Sequence, residues 1–461
     1  MTYLARTNGT ATSTTTFTIS AWVKRSELGG DRYVFAIANN DGSGPSEHIH
    51  LRFSTDTLQA QFYISSSQVG QIETNAKYRD PSAWYHIVFR FDSTQASANN
   101  RMRLYINGEY VDQLGINTQP SQSASCAACS GGRFSLSTSY SGTGGNFKGY
   151  IGQFIYADGQ SYAPSTFGST NSDGIWVPNT SPSVTYGNNG FKLDFANSGA
   201  AADANGFGAD TSGNGNNLAS TSLGTYPNTT DTPHNVFCTL NPLAINKNSV
   251  PSVTYGNLKI TDTNNNEWRI CGAGQGFTSG KWYWETKYIG PGGSLMTGIL
   301  DINNYEASKV FSTDTVGVGG YPGRFSDSQS FGYRDEGTIY HNGNSTAGKT
   351  TWSSAGDILG LAVDMDNKAV YAHVNGTYVD SGDPTSGASR TGSLFNFTPT
   401  IFVTPAIAVS AASSQGGRMN FGNAPFTISS SNADANGYGS FEYAVPSGYY
   451  ALCTKNLATY G

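Results

Sequence analysis

Two segments of this chain carry the same hairpin pattern, and that pattern restricts what the chain can fold into. RLYINGEYV spans Arg103–Val111, and VYAHVNGTYV spans Val370–Val379. In each, an Asn-Gly pair separates two runs of alternating residues. A two-residue hairpin turn needs positive φ at both central positions, which Asn and Gly tolerate best. Side chains alternate across a strand, so Leu104 and Ile106 share one face, as do Val370, Ala372 and Val374. Two such hairpins far apart in sequence predict two related all-β domains, of a kind expected to bind rather than catalyse.

Composition agrees with that reading. The 461 residues suffice for two or three domains. Only 13% are charged, against about 25% in an average soluble domain. Abundant Gly (56) and 13% aromatics suit β-sandwiches with long surface loops, whereas a disordered chain has few aromatics and more net charge. A net charge of −6, with no basic cluster along the sequence, gives no electrostatic basis for a nucleic-acid partner or an anionic membrane surface. No run of about 18 apolar residues occurs, so membrane insertion is not expected. The first seven residues lack the apolar core of a secretory signal. The chain is therefore expected to stay in the cytoplasm where it is made or to leave by another route, such as inside a released particle. Five sparse cysteines (Cys126, Cys129, Cys238, Cys271 and Cys453) are not a secreted disulfide framework and fit a reducing compartment.

Alternation predicts strands over 17–24 (FTISAWVK), 84–92 (WYHIVFRFD) and 147–159 (FKGYIGQFIYADG). Strand patterns resume over 281–288 (KWYWETKY), 296–301, 315–321, 356–366, 403–409 and 418–422. No segment shows a sustained, capped 3.6-residue period. Between about 166 and 245, Gly, Asn, Asp, Ser and Thr dominate, interrupted by aromatic patches such as Gly190–Phe195. Those patches recur too often for a solvated spacer, so the segment reads as an ordered extension.

Short repeats link the two halves. PSVTYGN occurs at Pro182–Asn188 and Pro251–Asn257, and ADANGFG at Ala202–Gly208 returns as ADANGYG at Ala433–Gly439. FCTLNPL at Phe237–Leu243 resembles LCTKNL at Leu452–Leu457. Each sandwich is thus expected to be followed by a similar closing segment. Two copies make a duplicated module, not a solenoid.

These residues resemble known families. FTISAWVK, WYHIVFRFD, RLYINGEYV and GYIGQFIYADG, in that order, resemble a laminin-G/concanavalin-A-like sandwich. From about 255 to 424, GKWYWETKY, GILD, VGVGGY, GDILGLAVDMD, the second hairpin, TPAIAV and MNFG resemble a SPRY domain. The combination is similar to a group of virion proteins abundant in marine bacteriophages, as are RDPSAWYHIV (Arg79–Val88), DTSGNGNNL (Asp210–Leu218) and the Asp231–Cys238 segment. The resemblance implies an all-β protein of two concanavalin-A-like or jelly-roll sandwiches, laminin-G-like then SPRY-like, with Gly/Asn-rich extensions. The expected boundaries are 1–165, a joining extension at 166–254, a second sandwich at 255–424 and a closing segment at 425–461. It also implies a tail-fibre-like or lectin-like place on the virion surface.

Catalysis finds little support in the sequence. Concanavalin-like glucanases carry paired carboxylates spaced about 5–5.5 Å apart in retaining enzymes. Here Glu285 stands alone, and Asp364 and Asp366 run into a turn. Cys126 and Cys129 form a CxxC without a second pair, so a local disulfide or a free-thiol loop is expected instead of zinc. His48 and His50 alternate and could meet on one face, as a metal pair or as a solvated or hydrogen-bonded pair; His86 and His373 fall in mid-strand and read as structural. Asp210–Asn216 alternates oxygen-bearing side chains, which fits a calcium loop, a cofactor that laminin-G-like domains often bind, or an Asx/Gly turn cluster without any cofactor.

The reading that remains is non-enzymatic adhesion to a host-surface glycan or receptor. Sugar recognition needs aromatic faces beside amide or charged groups. The SPRY-like loops offer Asn303, Asn304, Tyr305, Tyr321, Arg324, Tyr333 and Arg334 as ligand-binding candidates, although the same residue types also build subunit interfaces. The rival expectation is capsid decoration or tail bracing against other virion subunits; glycan hydrolysis ranks last. A homo-oligomer, with a trimer as the guess, is expected to dock through a sandwich surface or the 166–245 segment.

Overall fold

The computed structural model describes residues 3–39, 46–142, 144–222, 228–245, 250–262, 267–290, 294–302, 320–324, 329–398, 402–410 and 415–461. It is all-β, and the chain divides into two compact units, Met1–Asn228 and Thr229–Gly461. Among the described residues, no helix is long and apolar enough to cross a membrane.

Unit 1 is a sandwich of two antiparallel sheets. One has eight strands in the order Leu114–Thr118, Ser67–Lys77, Thr57–Ile64, His48–Ser54, Asp31–Ala38, Arg133–Leu136, Tyr3–Thr7 and Ala219–Thr221. The other has six: Phe191–Leu193, Gly149–Asp158, Thr16–Arg25, Trp84–Asp92, Met102–Ile106 and Glu109–Tyr110. Alternate residues of both meet in one core, with Phe17, Ile19 and Phe89 from the six-stranded sheet and Ile49, Leu51, Phe53 and Phe62 from the eight-stranded sheet.

Unit 2 repeats the plan. A seven-stranded sheet runs Leu240–Ile245, Arg269–Ala273, Val403–Ser410, Ser294–Asp301, Phe331–Arg334, Thr338–His341 and Asn344–Thr346. The path of the second sheet runs Ser252–Thr254, Lys259–Asp262, Gln415–Asn420, Lys281–Tyr288, Ile358–Asp364, Ala369–Val374 and Thr377–Tyr378, joined at its sides by Phe395–Asn396 and Tyr450–Ala451. Trp282, Trp284, Leu359 and Leu361 from this larger sheet pack with Leu295, Ile299 and Ile407 from the smaller one. A third layer lies on the far face of the larger sheet, where Phe441 and Tyr449 pack on Tyr283, Ala362, Tyr371 and Ala451. Burial on both faces explains why Ile358–Asp364 and Ala369–Val374 are buried throughout.

Both predicted hairpins form. Asn107 and Gly108 have φ of 49° and 87°, and Asn375 and Gly376 have 48° and 86°, the positive pair a two-residue turn requires. Each Asn side chain also accepts a neighbouring strand's N–H, from His86 at 2.8 Å and from Ile358 at 2.9 Å. An aromatic ring covers each turn glycine: a Cβ on Gly108 would approach Trp176 to 2.7 Å, and one on Gly376 would approach Tyr443 to 2.8 Å. The strand expected over 315–321 lies outside the described residues as far as residue 319.

Two organisational expectations change. The 166–254 segment is not a separate joining piece. Its first part completes unit 1, where Phe191, Leu193 and Leu218 are core residues, and its last part belongs to unit 2. The Cys-Thr repeats do not close one sandwich each. They pair with each other in unit 2, with Cys238 N donating to Leu452 O at 3.0 Å and Thr454 N to Val236 O at 3.0 Å. The ADANG repeats do form the same turn in each unit, since Asn205 N donates to Asp203 Oδ1 at 2.8 Å and Asn436 N to Asp434 Oδ1 at 2.9 Å.

Candidate functional site

Strand alternation separates the expected ligand residues of unit 2. Tyr333 and Arg334 are neighbours on one strand, so their side chains leave opposite faces. Tyr333 enters the core, fully buried, and its hydroxyl donates to Thr350 O at 2.7 Å. It is a packing residue, not a loop ligand. Arg334 faces outward, with its guanidinium 5.5 Å from the Trp268 ring, 2.8 Å from Glu336 Oε1 and 2.9 Å from Ser294 Oγ. Tyr321 packs between Trp268 and Tyr340, at ring separations of 5.6 and 5.3 Å, and Arg324 lies 5.7 Å from its ring. Tyr321, Arg324 and Arg334 therefore gather around Trp268, which the sequence reading did not single out. Asn303, Asn304 and Tyr305 lie outside the described residues.

A more extensive arrangement covers the outer face of the eight-stranded sheet in unit 1. In His48–Ser54, the core takes Ile49, Leu51 and Phe53, leaving His48, His50 and Arg52 on the opposite face, where both histidines are still buried. In Thr57–Ile64 it takes Leu58, Ala60 and Phe62, leaving Gln59, Gln61 and Tyr63. The next strand adds Gln71 and Glu73 in register with Gln61 and Gln59. Three irregularities shape the face: the register shifts between Tyr33 and Phe35, between Thr57 and Gln59 and between Phe62 and Tyr63.

The outward side chains form one hydrogen-bonded lattice. Tyr63 Oη and Gln61 Nε2 both donate to Gln68 Oε1, at 2.9 and 3.2 Å. Gln68 Nε2 donates to Gln71 Oε1 at 2.7 Å, and Gln59 Nε2 to Glu73 Oε2 at 2.6 Å. Arg52 donates to Gln59 Oε1 at 2.9 Å, Asp31 Oδ2 at 2.7 Å and Tyr33 Oη at 3.1 Å. Beside the lattice, the His48 ring stacks on Tyr63 and Tyr140, with centroids at 4.3 and 4.1 Å, and His48 and His50 stack at 5.4 Å. The alternating histidines do share a face, as an aromatic stack. His50 is buried, and that burial, with His48 and Arg52 alongside, holds its pKa well below 6.5. No group of three or more His, Cys, Asp or Glu at metal-binding distance occurs among the described residues.

The remaining candidates have structural partners. Glu285, fully buried, accepts from Tyr283 Oη, Asn420 Nδ2 and the backbone N–H groups of Glu442 and Tyr443. Burial raises its pKa against the pull of those donors. Asp364 caps its turn through Asp366 N and Asn367 N and pairs with Lys281 at 3.0 Å. The Asp210 carboxylate accepts three N–H groups, from Lys192, Ser212 and Asn216, as an Asx turn does. Cys126 and Cys129 flank a single turn, and both thiols are buried in the unit 1 core, where burial raises the Cys129 pKa well above 9.

Residues 2–156 match the laminin-G family model described as concanavalin A-like lectin/glucanases superfamily. Similar solved structures include the SPRY domain of human HERC1 (18% identity over 39% of this chain and 94% of that one, TM-score 0.28). They also include a heptameric SAP-like pentraxin from Limulus polyphemus (15%, 40% and 89%, 0.28) and the TRIM65 PSpry domain (14%, 40% and 89%, 0.26). No curated protein matches the chain.

Proposed function

We propose that this protein is a non-catalytic glycan-binding protein whose ligand lies along the polar–aromatic face of the eight-stranded sheet in unit 1. The observation that carries the reading is the lattice of Gln59, Gln61, Gln68 and Gln71 beside Tyr63 and Tyr140. An amide offers both donors and an acceptor, which suits the paired donor and acceptor character of sugar hydroxyls. Flat rings beside it offer apolar surface for the C–H face of a sugar. The match of residues 2–156 to a superfamily of lectins and glucanases is compatible with this reading. In unit 2, outside that match, the carboxylates of Glu285 and Asp364 are engaged in holding the fold, which supports a non-catalytic reading of that unit.

We further propose that the protein acts on a virus particle as a tail-fibre-like adhesin, made in the host cytoplasm and displayed in many copies. The resemblance of the sequence to bacteriophage virion proteins supports this. Many copies would raise weak single-site binding ~10²–10⁴-fold. The test is competition: soluble protein should block adsorption of the particle to host cells, and the Gln61→Leu/Gln71→Leu variant should not. Absence of blocking at saturating protein overturns adhesion. Labelling spread over capsid capsomers would assign decoration instead.

A further inference from the structure

Three cations stand in a row on the outer face of the larger sheet of unit 2. Lys259 and Arg418 are register partners on adjacent strands, and Arg418 and Lys287 are register partners on the next pair. All three point away from the core. Ile260 and Met419, their chain neighbours, are core residues, and so is Tyr288 beside Lys287. Strands lie about 4.8 Å apart, so the row extends across about 10 Å of sheet. Like charges directly opposite each other on neighbouring strands destabilise a sheet. Burial, with Arg418 alongside, lowers the Lys259 pKa.

Aromatic rings lie beside each of these cations. Tyr255, 47% exposed, has the Arg418 guanidinium 4.8 Å from its ring centroid and the Lys259 ammonium at 5.4 Å. Lys287 lies 5.0 Å from the Phe426 ring. Neither lysine makes an ion pair among the described residues. Glu285 is enclosed by its four donors, and Glu442 accepts from Ser429 N and Oγ, which lower its pKa, with Lys287 adding to that lowering.

We propose that Lys259, Arg418 and Lys287, with Tyr255, form a track for an acidic polysaccharide carrying carboxylate or sulfate groups. The spaced charges would meet the anionic groups, and the exposed Tyr255 ring would meet the sugar between them. A short row on a chain of net charge −6 favours such a polymer over a nucleic acid, whose closely spaced phosphates call for a wider basic surface. The track takes from the glycan-binding reading only the class of polymer; its residues, charge and unit are different.

The experiment measures binding of the full chain to immobilised heparin, polygalacturonate, dextran and duplex DNA at low salt, with a salt titration. Heparin or polygalacturonate should bind and be released as salt is raised. The heparin arm assigns sulfate, and the polygalacturonate arm assigns carboxylate. Lys259→Gln/Lys287→Gln should weaken that binding about tenfold or more, equivalent to about 1.4 kcal/mol. Arg418 is left intact because Nη1 also donates to Pro425 O at 3.1 Å. The same variant should keep the neutral-oligosaccharide binding and host-cell competition assigned to unit 1. No retention on either acidic polymer, unchanged binding by the double variant, or preference for DNA overturns the track. Loss of neutral binding in the wild type, with acidic binding intact, overturns the unit 1 site alone.

Discussion

The indole N–H of Trp176 donates to Nδ1 of His86 at 2.9 Å. An indole can only donate, so Nδ1 must accept and the proton sits on Nε2, which reaches Ser20 Oγ at 2.8 Å. The Trp22 ring stacks on the same imidazole at 4.7 Å. This contact ties the Gly/Asn-rich segment after the first sandwich to the middle of its six-stranded sheet. Trp176→Phe keeps most of the ring but leaves Nδ1 buried without a donor. It should lower stability by about 1–3 kcal/mol, read as a shift in denaturant midpoint at unchanged m-value. An unchanged midpoint would remove Trp176 from the set of stabilising contacts.

The two hairpins should respond alike to substitution. Gly108→Ala and Gly376→Ala each place a Cβ at positive φ and drive it into the ring of Trp176 or Tyr443. Left-handed backbone costs about 1–2 kcal/mol for a residue with a Cβ, and overpacking adds about 1–3 kcal/mol. Calorimetry on the two variants should show losses of similar size. A neutral effect at either turn would mean that its aromatic cover moves freely.

Glu285 anchors the third layer of unit 2 to its sheet. Glu285→Ala leaves the backbone N–H groups of Glu442 and Tyr443, Asn420 Nδ2 and Tyr283 Oη without their common acceptor. Each buried donor left unsatisfied costs about 1–3 kcal/mol. Limited proteolysis should then cut within 425–450 well before the rest of unit 2. Wild-type resistance in that segment would show that apolar packing of Phe441 and Tyr449 alone holds it.

Acid should destabilise the protein well before its surface carboxylates are titrated. Burial lowers the pKa of His86 to about 3 and of His373 to about 4, from 6.5. Between those values and 6.5 the unfolded chain binds more protons than the folded one, so stability rises with pH. The contribution is complete above pH 6.5 and is lost as the pH falls toward 3–4, up to ~3–5 kcal/mol for each histidine. His50 adds to the effect in unit 1, whereas Glu285, raised by burial, opposes it in unit 2. Melting temperatures at pH 7 and pH 4.5 should differ, with unit 1 losing more. Equal values would contradict neutral buried imidazoles.

Much of the strand inventory was legible in the sequence. The stretches 17–24, 84–92 and 281–288 fall within Thr16–Arg25, Trp84–Asp92 and Lys281–Tyr288, because alternate residues of a strand share a face and the core face takes the apolar ones. The glutamine and histidine face left the same signal in HIHLRF and TLQAQFY. It went unused as a site because no motif marks which face of a sheet is left for a ligand. Tyr333 and Arg334 show the converse error, since adjacency along a chain reads as proximity in a loop but means opposite faces in a strand.

The sequence by itself determined the all-β class, the two Asn-Gly hairpins and the presence of two sandwiches, because these rest on local periodicity and on which residues accept positive φ. Only the tertiary structure decided where the units divide and that both Cys-Thr repeats lie together in unit 2. It also decided that Lys259, Arg418 and Lys287, scattered across a weakly acidic sequence, come into one row. Those outcomes depend on strand order and register, which are set by how distant apolar faces fit together in a core. Neighbouring residues carry no record of that fit.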